Sequence, residues 1–194
     1  MSNHFVWIMC RASGVAALIL VSAAVGVGLS VSGRLMKGRG GDLGVRGGDL
    51  HAIHEALSIA ALTMIALHGL SLLADSYFHP SIADLAIPFQ RNYREPYMAI
   101  GIIGGWGVTL LGLSYYARRL IGVQRWRVLH RCTLAAWVLI VIHTLGEGSD
   151  SGEGWFLAVV VVTILPIAVL TLVRSIGGRR SRYGRPVAAR RDVS

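Results

Sequence analysis

Apolar positions along this chain gather into five long runs separated by shorter polar or basic stretches. The runs extend from about Gly14 to Ser30, Leu50 to Leu73, Tyr97 to Tyr116, Val128 to Leu145 and Trp155 to Val173. Each is roughly 17–24 residues long, enough at about 1.5 Å per residue to cross a ~30 Å hydrocarbon core. Lipid offers no water to the peptide groups, so each run is expected to be a helix that satisfies its own backbone. The first run has only Arg11 as a basic flank and no A-x-A site leading into a polar chain, which predicts a retained helix rather than a cleaved signal. The expected fold class is all-α, an integral membrane helical bundle of about five transmembrane helices. Residues 1–178 are expected to form the transmembrane domain and 179–194 a basic tail.

Composition agrees with the pattern. Hydrophobic residues make up 54% of the 194 positions and charged residues only 15%, with a mean hydropathy of +0.58. Soluble domains carry nearer a quarter charged residues. Such hydrophobicity excludes disorder, and five prolines exclude a collagen-like chain. The two cysteines, Cys10 and Cys132, cannot build a disulfide framework.

The net charge of +9 is unevenly placed, and its placement predicts orientation. Arg34, Lys37, Arg39 and Arg46 lie between the first two runs. Arg118, Arg119, Arg125 and Arg127 lie between the third and fourth, and seven arginines follow from Arg174 onward. The alternate connections are mixed (Asp75, Asp84, Arg91, Arg94, Glu95) or acidic (Glu147, Asp150, Glu153). The positive-inside rule therefore places the N-terminus outside and the C-terminus in the cytoplasm. A basic tail after a last membrane helix reads as a topology signal that touches anionic lipid, rather than as a nucleic-acid arm. No Gly-rich phosphate loop follows a strand pattern, so no nucleotide-binding domain is expected. The Ala, Val, Gly and Arg richness points to a bacterial plasma membrane, multi-pass.

Histidines carry the candidate chemistry. His54 and His68 lie fourteen residues apart in the second run, and His130 and His143 thirteen apart in the fourth. Fourteen residues rise about 21 Å and return to within about 40° of the starting face. With both runs crossing in the same direction, His54 and His130 share one depth and His68 and His143 the other. Polar groups inside a membrane are costly and usually functional. Two parallel helices offering imidazoles at two matched depths are what two stacked, six-coordinate haems need, one neutral imidazole on each side of each iron. Histidine pairs ~20 Å apart cannot share a bare dinuclear metal site. The thirteen-residue spacing leaves His143 about 140° around an ideal helix from His130, so the fourth helix must tighten or bend, or the haems must be offset.

These spacings, with RWRVLHRCTLAAWVLIVIH and its Trp126 and Leu129-His130-Arg131 triplet, resemble the ferric reductase-like transmembrane domain. That family is shared by ferric reductases, NADPH oxidases and the haem subunit of methionine sulfoxide reductase systems. The resemblance spans about residues 50–173. It implies two haem b groups held by His54, His68, His130 and His143, and one-electron transfer across the membrane in an oxidoreductase component. Many relatives have six helices, and no flavin or nicotinamide domain is expected from this sequence. The donor is therefore expected to be a separate protein or a membrane quinol, and the chain a di-haem b-type cytochrome. The alternatives are a haem-binding sensor or shuttle, and a structural subunit of a larger respiratory complex.

Other residues take lesser roles. Arg127 and Arg131 flank His130 and are candidates for binding the inner haem propionates, with Arg46 on the same side. His51 is the substitute for His54. His79 sits in an outer loop whose Ile82, Leu85, Ile87 and Phe89 predict a short interfacial helix over the outer haem. Trp137, midway between the two histidines of its helix, is placed to pack between the haems. Pro166 is expected to bend the fifth helix, with Thr163 near the freed carbonyls.

Overall fold

A computed structural model describes residues 3–32, 47–75, 79–90, 95–148 and 150–183. The described chain is helical throughout, without a strand. Its elements are α1 (Asn3–Ser32), α2 (Gly47–Leu73), α3 (Ile82–Ala86), α4 (Glu95–Leu113), α5 (Arg118–Ile121), α6 (Val123–His130), α7 (Thr133–Glu147) and α8 (Gly154–Tyr183). Five helical stretches are long and apolar enough to cross a membrane: His4–Ser32, Gly48–Leu73, Pro96–Leu113, Val123–Glu147 and Gly154–Ile176. They coincide with the five apolar runs. Arg34, Lys37, Arg39 and Arg46 of the first basic loop, Arg91 and Arg94, and the tail from Gly184 lie outside the described residues.

The helices pack as two antiparallel pairs, α1 with α2 and α4 with α7, while α8 lies against α1. Their centre is a dry cluster of Val21, Val25, Ala61, Val108, Ala136, Trp137 and Ile167, all buried. Large apolar side chains such as Leu110, Val162 and Leu172 are 60–70% exposed on the outside. Water would make that surface an aggregation liability, whereas lipid tails cover it without cost.

The first helix begins earlier than its apolar run, at Asn3, because its polar residues find partners. Arg11 forms an ion pair with Asp150 and lies over the Trp7 ring at 4.1 Å. At the other end of α1, Arg174 of α8 donates to the carbonyl of Leu29 at 2.7 Å and to the Ser32 hydroxyl at 2.6 Å. A cation there also complements the negative end of the helix dipole.

The fourth span is not one regular helix. Between α6 and α7, Arg131 N–H bonds to the Val128 carbonyl (3.2 Å), Cys132 to Leu129 (2.9 Å) and Leu134 to Arg131 (3.2 Å), all i→i+3. This is a short 3₁₀ insertion. About four residues wound at 120° rather than 100° add about 80° of rotation and about 2 Å of rise. The His130-to-His143 mismatch falls from about 140° to about 60°, and the rise approaches the ~21 Å of the fourteen-residue spacing on α2. Local tightening, one of the accommodations the spacing allows, is present.

Two local expectations gain detail. Thr163 donates to the carbonyls of Val159 and Val160, both at 2.9 Å, one turn before the Val162 carbonyl that Pro166 frees. The short helix α3 forms, with a Ser81–Asp84 capping box. Its Ala86 carbonyl, however, accepts the indole N–H of Trp106 at 2.9 Å. Trp106 lies about 13 Å along α4 from Tyr97, so α3 leans on the flank of α4.

Candidate functional site

Helices α2 and α7 run parallel and bring their histidines together in two pairs. The His54 and His130 ring centroids are 6.2 Å apart with the planes crossed at 88°. Those of His68 and His143 are 6.4 Å apart, crossed at 73°. The pairing is the one read from matched depth. His51, one turn before His54, is exposed and is not part of either ring pair. His79 is exposed on the α2–α3 connection.

Each imidazole is held by a backbone carbonyl of the neighbouring helix. His54 Nδ1 lies 2.9 Å from the Ala24 carbonyl and His68 Nδ1 2.9 Å from that of Cys10. His143 Nδ1 lies 2.9 Å from the Tyr97 carbonyl and His130 Nδ1 3.3 Å from that of Leu111. A carbonyl can only accept, so Nδ1 carries the proton in all four rings, and Nε2 keeps its lone pair. Imidazoles that bind metals are oriented by the same second bond, which also raises their basicity.

The carbonyls are regularly spaced, at the interval of His54 and His68 and one residue more than that of His130 and His143. Cys10 and Ala24 are fourteen residues apart on α1, and Tyr97 and Leu111 fourteen apart on α4. Each antiparallel helix pair is therefore one copy of a repeated unit: one helix supplies two carbonyls, the other two imidazoles. No such repeat shows in the sequence, because carbonyl acceptors carry no side-chain signature.

Glycines make the space. A Cβ on Gly14 would stand 3.1 Å from His68 Cε1 and Nδ1, and one on Gly28 3.1 Å from His54 Cε1. A Cβ on Gly101 would overlap Nδ1, Cε1 and Cγ of His143. Each of these three glycines lies four residues after the residue whose carbonyl accepts from that imidazole, one turn along the same helix face. The residue-type reading missed them, although Gly14 and Gly28 repeat the fourteen-residue interval.

Between the two levels lies Trp137, 6% exposed, whose indole N–H donates to the Ser22 hydroxyl at 2.9 Å. That satisfies both polar groups in an apolar core. Arg127 and Arg131 lie on either side of His130 in sequence, but both are exposed. Among the described residues neither makes an ion pair or a side-chain hydrogen bond.

The two imidazole pairs would fit a centre that asks the protein for two ligands at each level. Among the described residues, no group of three or more His, Cys, Asp or Glu could hold a metal ion. A bare ion would need further ligands at either level, whereas a porphyrin supplies four and asks the protein for two. A metal–imidazole bond of about 2.0 Å, with the ring centre roughly 1 Å further on, predicts about 6 Å between trans centroids. The observed 6.2 and 6.4 Å meet that requirement twice. Comparisons with family models, with curated proteins and with solved structures find no match to this chain.

Proposed function

We propose that the chain is a di-haem b-type membrane cytochrome that passes electrons across the membrane one at a time, of ferric-reductase-like type. The observation that carries this reading is the pair of crossed imidazole couples, each ring tied through Nδ1 to a carbonyl. His54 and His130 would hold one haem, and His68 and His143 the other. When bound, haem b supplies a one-electron carrier at each level, and its potential is set by axial ligation and burial.

The protein's own work is to hold and to insulate. The carbonyls of Cys10, Ala24, Tyr97 and Leu111 keep each imidazole aimed and its Nδ1 protonated. Gly14, Gly28 and Gly101 let the neighbouring helices close over the rings, and the Trp137 cluster keeps water from the space between the levels. No group in the described site is arranged for acid–base chemistry, so the substrate transformation belongs to a partner or an acceptor. By the distribution of arginines, the His54–His130 level faces the cytoplasm. Exposed Arg127 and Arg131 at that level are candidates for the haem propionates. The arginine-rich side would draw an acidic donor protein by long-range steering; a membrane quinol is the other candidate donor.

Pyridine haemochrome titration of the purified protein, with a reduced-minus-oxidised spectrum, tests the reading. Two low-spin haem b per chain are expected. A ratio near one removes one pair from the assignment, and a ratio near zero overturns it.

A further inference from the structure

The four histidines do not have equivalent surroundings. His54, His68 and His143 each lie against a glycine of the neighbouring helix, but no described glycine approaches His130. Its face is instead covered by Trp126, one turn earlier, with centroids 5.1 Å apart and planes 25° from parallel. The Trp126 indole N–H donates to the Ser114 hydroxyl at 3.1 Å. That hydroxyl donates in turn to the Leu111 carbonyl at 2.6 Å. The same carbonyl takes the Nδ1 proton of His130, at 3.3 Å the longest of the four imidazole–carbonyl bonds. One acceptor thus serves two donors, and the stronger claim on it is the hydroxyl's. Trp126 itself is wedged by Tyr115, whose ring lies 5.9 Å away at 66°. Arg118 closes the stack, with its guanidinium 3.7 Å over the Tyr115 ring.

Resting on the assignment of the histidines as haem ligands, we propose that Trp126 is a positioning residue for His130. It fixes the imidazole plane by stacking, and with Ser114 it diverts the Leu111 carbonyl from the Nδ1 proton. A weaker pull on Nδ1 leaves His130 a poorer donor than it would be with the whole Leu111 carbonyl. A poorer imidazole donor stabilises ferric iron less, so the His54–His130 haem would be tuned upward in potential relative to the same haem with an undivided Leu111 carbonyl. Crossed imidazole planes give a strongly anisotropic low-spin ferric signal, and the 88° crossing here depends on a ring that no glycine seats.

The test uses the full-length protein in detergent or nanodiscs, by electron paramagnetic resonance and redox titration, with the His68–His143 haem as the internal control. Trp126→Leu should shift only the His54–His130 signal toward a more rhombic form. Trp126→Phe, which keeps a stacking face, should restore it. Ser114→Ala returns the whole carbonyl to His130 and should lower the midpoint potential of that haem alone. A Trp126→Leu protein with both signals unchanged, or with both shifted equally, overturns the proposal. Should Trp126→Leu fail to accumulate, an unshifted Ser114→Ala potential overturns it. A wild-type protein without haem removes both this inference and the ligand assignment, and is distinguished by the haem-to-protein ratio alone.

Discussion

Replacing Gly101 by alanine isolates one ligand with a single methyl group. A Cβ at this position would overlap three atoms of the His143 ring. The imidazole must turn away, and turning breaks its 2.9 Å bond to the Tyr97 carbonyl. Overpacking costs about 1–3 kcal/mol, and losing the hydrogen bond adds about 1 kcal/mol. Together, about 2–4 kcal/mol weakens ligation at this level by roughly 30- to 1,000-fold, at about 1.4 kcal/mol per decade. The purified Gly101→Ala protein should carry one haem, with the His54–His130 spectrum intact. Two substitutions bracket the result. A Cβ on Gly26 meets nothing within 4 Å, so Gly26→Ala should keep both haems. A Cβ on Gly107 would come 2.9 Å from the Ala136 Cβ, a helix–helix contact away from any histidine. Gly107→Ala should therefore lower thermal stability without selecting one haem. If Gly101→Ala keeps two haems with a wild-type spectrum, the reasoning fails. It fails equally if both haems are lost in step, as general destabilisation would predict.

Three further expectations follow from the same geometry. His54→Ala and His130→Ala should each remove or convert to five-coordinate the same haem, and His68→Ala and His143→Ala the other; a Soret band showing that His54 and His143 behave as one pair would refute the parallel arrangement of α2 and α7. In oriented vesicles, a protein donor on the arginine-rich side should reduce the His54–His130 haem first, more slowly as the Debye length falls from about 10 Å at 0.1 M salt to about 3 Å at 1 M; salt-independent reduction would favour a quinol donor, and first reduction of the other haem from that side would refute the direction. Asp150→Asn removes the Arg11 ion pair, whose side chains are 31% and 13% exposed; with screening, the expected loss is no more than about 1 kcal/mol in thermal unfolding, and an unchanged haem spectrum would separate this clamp from the site.

Much of this architecture is written in residue types. Five apolar runs determine five spans, because lipid leaves an apolar run of that length no alternative to a helix. The intervals between His54 and His68 and between His130 and His143 determine which rings can share a depth, since rise per residue is a property of the helix and not of its neighbours. The thirteen-residue interval also required the fourth span to tighten or bend, or the haems to be offset. The remedy was a tertiary matter. The i→i+3 bonds around Arg131 and Cys132 form because α7 must present His143 to α2 while Ala136 and Trp137 stay packed against α1 and α4. The imidazole tautomers were likewise illegible in the sequence, because the acceptors at Cys10, Ala24, Tyr97 and Leu111 are peptide carbonyls that any residue type provides. Which glycines matter was undecided among 24 of them. Only close packing of α1 on α2 and of α4 on α7 singles out Gly14, Gly28 and Gly101, and the same packing leaves His130 to a tryptophan. A chain specifies spacing along its own axis; what lies across from each residue is settled when a second helix closes on it.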